Sequence, residues 1–288
     1  MSLLGPGWME TLRDTSDLLG LGDTVDRHAT IPADARARVI DVLRSYVGTA
    51  NRSHAERLTL IGTEPLRRAR NAQTLGDEIK AATGLSLHVL TEREEAILTF
   101  VGVTRGQPPA SPLIVVDIGG GSTEISQWTP SEELRVESIP IGSSRLSNAI
   151  VEHDPPTEGE LDRLFRAAAD ATQGLKRSVS PGSGGHAIFV GGTATNVARL
   201  GRLTRDALAE DRRTLGKLPA AAVVARYNVK PRRARQLAAG VAIVDAILAA
   251  YGLDGAEVSE ASLRDGAIIC AAAFGDKWAD ALEDLARG

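Results

Sequence analysis

Apolar and polar positions along this chain alternate between helical and strand-like spacing. From Pro32, the apolar residues Val39, Val42, Leu43 and Tyr46 recur at helical intervals. Pro32-Ala33-Asp34 marks the first turn, where proline's missing N–H would be unpaired anyway. Leu58–Ile61 predicts a short strand, Leu75–Ala82 a helix stopped by Gly84, and Leu85–Leu90 a second strand. Thr91-Glu92-Arg93-Glu94 is a capping box, in which hydroxyl and carboxylate each take the other's backbone N–H, and its helix runs to about Val103. Residues 105–112 hold three prolines without periodicity and predict a linker, with domains over 1–105 and 106–274. Leu113–Ile118 predicts a buried strand, Thr123–Trp128 an alternating one and Leu134–Ile139 a third. Helices are expected over 143–152 and 157–178, and Ala187–Val190 is a further strand entering Gly191-Gly192. The remainder is mostly helical, with a short strand near Glu257-Val258 and a terminal helix over 275–288 that packs back onto the first domain. Strands alternating with helices make this an α/β protein.

Composition narrows the class. A chain of 288 residues, 43% apolar and 24% charged, is long enough to bury a core without covalent staples. Its single cysteine, Cys270, lies in an apolar run and excludes an intramolecular disulfide, which fits a reducing cytoplasm. The N-terminus lacks the basic-then-apolar pattern of a secretory signal, and Met1-Ser2-Leu3 has the look of a vector scar. The most apolar helix, Leu237–Leu253, carries Asp245 at its middle and reads as a core helix, so no membrane partner is expected. A net charge of −4 argues against a general nucleic-acid binder, but not against a small anionic substrate met by local donors.

The sharpest chemical pattern is Asp117-Ile118-Gly119-Gly120-Gly121-Ser122-Thr123-Glu124. An apolar strand ends in an acid and enters three glycines, which allow successive N–H groups to converge on one concavity suited to phosphate oxygens. Ser122 and Thr123 add hydroxyl donors. Asp117 stands where it can hold a divalent cation or a water bound to one, and Glu124 on the returning strand can orient water. No Gly-Lys-Ser/Thr follows, so this is not a P-loop, and no helix follows, so it is not a dinucleotide fingerprint.

This segment resembles the second phosphate-binding loop of the exopolyphosphatase/pppGpp-phosphatase (Ppx/GppA) family. Four other segments agree in order and spacing. Gly62-Thr63-Glu64-Pro65-Leu66-Arg67-Arg68-Ala69-Arg70-Asn71 resembles the family's Thr-x-x-x-Arg-x-Ala-x-Asn stretch and makes Arg67 the substrate-facing candidate. Glu94-Glu95-Ala96 resembles the segment that carries the catalytic glutamate, by that match Glu95; Glu94 already serves the capping box. Pro140-Ile141-Gly142-Ser143-Ser144-Arg145-Leu146 resembles Pro-x-Gly-x-x-Arg-Leu, with Gly142 at a helix N-terminus offering N–H groups to an anion, and Arg145 either a substrate contact or an interdomain salt bridge. Gly191-Gly192-Thr193-Ala194 resembles the superfold's Gly-Gly-Thr-Ala turn near the phosphates. Ala239-Gly240 and Leu263-Arg264-Asp265-Gly266 match packing stretches, with Asp265 replacing the usual glutamate.

The resemblance implies two actin-like (ribonuclease H-like) domains with a cleft between them. It implies hydrolysis of a terminal phosphoanhydride in inorganic polyphosphate or pppGpp, with Mg²⁺ as the ion, Asp117 and Glu124 as its ligands, Glu95 as base and a homodimer as the assembly. One departure stands out. The family's first loop, of the Asp-x-Gly-Ser-Asn type, has no counterpart; the nearest stretch, Leu21-Gly22-Asp23-Thr24, has no apolar strand before it. The expectation is therefore a first domain short of about two strands, in a chain truncated relative to its gene. The alternative activity is a protein that binds polyphosphate or a guanosine polyphosphate without cleaving it.

Overall fold

The computed structural model describes residues 1–5, 8–17, 19–175 and 186–287. Chain contacts divide it into two units, Met1–Glu95 with Ala267–Leu282, and Ala96–Gly266 with Glu283–Gly288. The first division falls inside a helix, ten residues before the 105/106 boundary that the prolines suggest. The physical reason lies in that helix's later turns: the Ala96 carbonyl accepts from the Ser126 hydroxyl at 3.2 Å, and the Thr99 hydroxyl donates to Asp117 at 3.4 Å. These bonds tie residues 96 onward to the second unit's sheet, whatever the composition of the linker after them.

In the first unit, strands β1 (Ser2–Gly5) and β2 (Trp8–Thr11) pair antiparallel with each other. Helices α1 (Leu21–His28) and α2 (Ala33–Arg52) follow, then β3 (Leu60–Gly62), α3 (Glu64–Arg68), α4 (Ala72–Thr83), β4 (Leu87–Val89) and α5 (Glu92–Thr104). Strands β3 and β4 pair parallel with each other. Val25, Ile31, Val39, Leu66, Leu75 and Ile79 form the core beneath them. Asn71 closes that core's edge, its side chain accepting from the Ile31 N–H at 2.8 Å and donating to the Ile31 carbonyl at 2.9 Å. Arg36 clamps α2 to α4 through both Glu78 oxygens. The 21–24 stretch is the first turn of α1, not a loop between strands. The β1–β2 hairpin is a finding that the residues at 1–3 do not advertise. From the C-terminal part, Trp278 meets His88 edge-on with ring centroids 5.2 Å apart, and Asp276 accepts from Arg57 at 3.1 Å.

In the second unit, β5 (Leu113–Ile118), β6 (Thr123–Thr129) and β7 (Glu132–Ile139) form an antiparallel meander. Helices α6 (Ser143–Ile150) and α7 (Glu158–Thr172) lead to β8 (His186–Val190), α8 (Gly191–Val197), β9 (Leu203–Thr204), α9 (Arg205–Leu215), α10 (Ala220–Tyr227), α11 (Pro231–Ala234), α12 (Leu237–Tyr251) and β10 (Gly255–Val258). Helix α13 (Leu263–Phe274) spans the second division, and α14 (Leu282–Arg287) ends the described chain. Of the helices expected over 157–178 and 275–288, residues 176–178 and 288 lie outside the described residues. One sheet runs β7-β6-β5-β8-β10-β9, with β8 parallel to β5 and β10. Its β5 register places Ile114, Val116 and Ile118 on the face that packs into the helical core, while Val115 and Asp117 face the other way. Helix α12 is buried almost all round, against α6, α7, α8 and α9. Among the described residues no helix is long and apolar enough to cross a membrane.

One buried acid in this unit is costly. Asp211, on α9, is 8% exposed, and its Oδ2 has no hydrogen-bond partner. Burial, with Glu210 beside it, pushes its carboxyl up to about 6. The folded-state value lies above the unfolded one, so the native state binds the extra proton, and stability falls as pH rises from about 4 through 6. Asp211→Asn is therefore expected to leave stability nearly unchanged at pH 4 and to raise it at pH 8 by at most about 3 kcal/mol, on the scale of ~1.4 kcal/mol per pKa unit before solvent screening reduces it. Urea unfolding at the two pH values measures the difference; equal effects at both would refute it.

Candidate active site

The glycine loop is built as a tight connection between β5 and β6. Asp117 pairs with Glu124 and Ile118 with Thr123 across the ladder, and the Gly119 N–H closes the turn onto the Ser122 carbonyl at 3.0 Å. The loop's carbonyls are then captured by the start of α6. Ser143 N–H donates to the Gly119 carbonyl at 3.1 Å, and Ser144 and Arg145 N–H both donate to the Gly120 carbonyl at 3.0 and 2.9 Å. A trans peptide points its N–H opposite to its C=O. Anchoring the carbonyls of Gly119 and Gly120 on the helix therefore aims the N–H groups of Gly120 and Gly121 away from it, side by side. The amides of Gly120, Gly121 and Ser122 have no backbone partner among the described residues. Successive main-chain N–H groups left without backbone partners are available to an anion.

Several expected phosphate donors turn out to be the loop's supports. Gly142 is one. Its helix's first amides are occupied by loop carbonyls, so that N-terminus is not an open anion site. Glycine is required there by packing: a Cβ would lie 2.4 Å from the Gly120 carbonyl carbon and 2.5 Å from the Gly121 nitrogen. Thr123 is fully buried, and its hydroxyl donates to the Ile141 carbonyl at 2.7 Å. The Thr193 hydroxyl is paired with Ser143 Oγ at 2.8 Å and lies 3.5 Å from the Gly119 carbonyl, which it braces from below. Ser143 was not singled out from sequence, although it stands inside the Gly142–Arg145 motif. Ser122 is buried, yet its hydroxyl makes no hydrogen bond within the described residues, so it remains a donor for a ligand.

Gly191 has φ of +85°, in the region that favours glycine, and a Cβ there would lie 2.3 Å from Asp117 Oδ1. The turn thus fits closely against the acid. Asp117 also accepts from Thr99, and the buried Glu124 accepts from Ser138 at 3.4 Å. The two carboxylates project from one face of the hairpin as directly opposed residues. Arg145 turns back to the Pro140 carbonyl at 3.3 Å.

In the first unit, the capping box forms as the residues require: Thr91 N–H donates to Glu94 at 2.6 Å and Glu94 N–H to the Thr91 hydroxyl at 3.1 Å. Burial would raise the Glu94 carboxyl, but the bonds from Thr91 and His88 hold it below the ordinary range. Its neighbour goes the other way. Glu95 is 8% exposed; burial pushes its carboxyl up, the Arg67 hydrogen bond and charge pull it down, Glu64 and Glu92 add repulsion, and the net is upward. Arg67 Nη1 donates to Glu95 at 2.6 Å and to the Leu90 carbonyl at 2.9 Å. So the arginine expected to face substrate also positions the glutamate. Its Nη2 is buried with no partner and is a spare donor.

The model of the Ppx/GppA phosphatase family matches residues 4–272 of this sequence. The chain belongs to that family. As a Ppx/GppA member it is an enzyme of the phosphatase class. Among curated proteins, it is 26% identical to Exopolyphosphatase 1 of Mycobacterium tuberculosis over 90% of this chain and 79% of that one. It is 30% identical to Exopolyphosphatase 2 of the same organism, over 68% of this chain and 63% of that one. Among solved structures, the Aquifex aeolicus Ppx/GppA family member superposes with a TM-score of 0.83 at 26% identity, covering 96% of this chain and 93% of that chain. An exopolyphosphatase from Cytophaga hutchinsonii shares the fold, with a TM-score of 0.80 at 22% identity. The mixed α/β architecture is therefore the family's actin-like fold.

Proposed function

We propose that this Ppx/GppA member releases the terminal orthophosphate from a polyanionic phosphate chain, inorganic polyphosphate first and pppGpp second, by attack of water. One observation carries the reading: the carbonyls of Gly119 and Gly120 are anchored on α6, which turns the amides of Gly120 and Gly121 away from it and leaves them without backbone partners. The names of the mycobacterial relatives support polyphosphate as the substrate. In this reading Glu95 takes the proton from water, and burial makes its carboxylate more basic than an ordinary glutamate's. Arg67 Nη2 and Arg145 screen substrate charge.

Mg²⁺ fits the residues present. Asp117 and Glu124 offer hard carboxylate oxygens from one face of the hairpin, and Mg²⁺ characteristically takes one or two carboxylates plus phosphate and water. Among the described residues no group of three or more His, Cys, Asp or Glu is arranged to hold a metal, so phosphate oxygens and water would complete the shell. When bound, the ion would neutralise charge on the phosphate oxygens. A homodimer and a cytoplasmic location belong to the same proposal.

Phosphate release from long-chain polyphosphate by the full chain, measured with Mg²⁺ and again after chelation, tests it. Release with Mg²⁺ and loss of release with chelator is the expected result. The second reading, binding without cleavage, is favoured by the helical conformation of 21–24, which removes the nearest candidate for a first loop. Calorimetric binding of polyphosphate without release would establish it. Neither binding nor release would sink both.

A further inference from the structure

One peptide unit joins the Gly119 carbonyl to the Gly120 N–H. Whatever holds that carbonyl therefore also sets where the amide points and how strongly it donates. Two groups reach the carbonyl, the Ser143 N–H at 3.1 Å and the Thr193 hydroxyl at 3.5 Å. Ser143 acts on it a second time through its own hydroxyl, which lies 2.8 Å from Thr193 Oγ1. Either oxygen can donate in that pair. If Thr193 donates to Ser143, its lone pairs face the Gly119 carbonyl oxygen and repel it. If Ser143 donates to Thr193, the Thr193 proton is free for the carbonyl, and the repulsion is gone. Ser143 and Thr193 are 1% and 4% exposed, so water does not stand in for either hydroxyl. The bond to Gly119 is long for an O–H donor, so its effect falls on the direction and polarity of the peptide more than on stability. A glycine on α12 fixes the threonine's orientation. A Cβ at Gly240 would lie 2.8 Å from Thr193 Cγ2, so the methyl group occupies the space this glycine leaves, and the hydroxyl is left to face Ser143.

We infer that Ser143 and Thr193 are positioning residues for the Gly120 amide. They form a two-hydroxyl relay, Ser143 to Thr193 to the Gly119 carbonyl, that aims and polarises the N–H on the far side of the same peptide. Neither residue touches substrate. The kinetic consequence rests on the phosphatase reading above; the state of the Gly120 amide does not.

Thr193→Val keeps a methyl group against Gly240 and removes the relay's middle hydroxyl. The test follows the Gly120 amide by nuclear magnetic resonance in the full chain with isotope-labelled glycine and no ligand, beside orthophosphate release from inorganic polyphosphate. A donor on the Gly119 carbonyl draws electron density from the adjoining nitrogen. The Gly120 nitrogen resonance should therefore move upfield in Thr193→Val, move less in Ser143→Ala, and return toward its wild-type position in Thr193→Ser. For phosphate release, kcat/KM should fall roughly tenfold in Thr193→Val and about threefold in Ser143→Ala, less than the ~10²–10³ that follows loss of a whole donor. Thr193→Ser should recover most of it. Because the two hydroxyls act in one line, the double variant should be no slower than Thr193→Val alone; losses that multiply overturn the relay. An unmoved Gly120 resonance in Thr193→Val also overturns it, whatever the activity, and Ser143→Ala decides in the same way if Thr193→Val fails to fold. A moved resonance in a protein whose wild type releases no phosphate would remove the hydrolytic reading and leave the relay standing. Release by the wild type with the resonance unmoved in the variants would do the reverse.

Discussion

Glu95→Gln is expected to lower phosphate release from polyphosphate by about 10²–10⁴-fold, the range a positioned general base contributes. Glutamine keeps the side chain's length and an oxygen for the Arg67 Nη1 donor, which now sits 2.6 Å from the carboxylate. The fold should therefore survive, and polyphosphate should still bind, since the loop amides belong to other residues. Because burial raises the Glu95 carboxyl, the acid limb of the wild-type pH profile should fall at a higher pH than an ordinary glutamate would give, and the variant should lack that limb. Stopped assays of orthophosphate across pH, run beside calorimetric titration, separate the outcomes. Full release by the variant would remove Glu95 as base. Loss of both binding and release would point to collapse of the Arg67–Glu95 pair instead.

Gly142→Ala should be nearly as damaging, although Gly142 touches no substrate in this reading. The new methyl group would enter the Gly120–Gly121 peptide, with contacts of 2.4 to 2.6 Å to its carbon, nitrogen and oxygen. That peptide cannot retreat without breaking the bonds from Ser144 and Arg145 that orient it. Rotation of the peptide misdirects the amides, and losing one preorganised donor alone costs ~10²–10³ in rate. Overpacking of this kind also costs about 1–3 kcal/mol of stability. A drop in kcat/KM of about a hundredfold or more, with the circular dichroism spectrum retained, is the expected result. Gly159→Ala, where a Cβ meets open space, is the control and should be silent. Wild-type turnover in Gly142→Ala would mean that the loop's amides are not what holds the phosphate.

Much of the second unit was legible because its signals are local. The apolar run at 113–118, the alternation at 123–128 and the Gly-Gly turn after 187–190 each appear as expected, since strand periodicity and turn chemistry act over a few residues. The capping box at Thr91 and Glu94 closes as written, for the same reason. The two-residue strand Leu203–Thr204 carries no periodicity and exists only because β10 pairs with it. The unit division was hidden by the prolines at 108–112, because what binds Ala96 and Thr99 to the second unit is Ser126 and Asp117, far along the chain.

By itself the amino-acid sequence determined the order of helices and strands, the family, and the glycine loop after Asp117, since each rests on residue types at short spacing. Tertiary structure alone decided which donors remain for a ligand. Thr123 and Thr193 are consumed as braces, the α6 amides are taken by loop carbonyls, and Arg67 is shared with Glu95. The reason is physical: whether a polar group is free depends on who stands opposite it, and its partner here lies anywhere from 18 to 74 residues away in the chain.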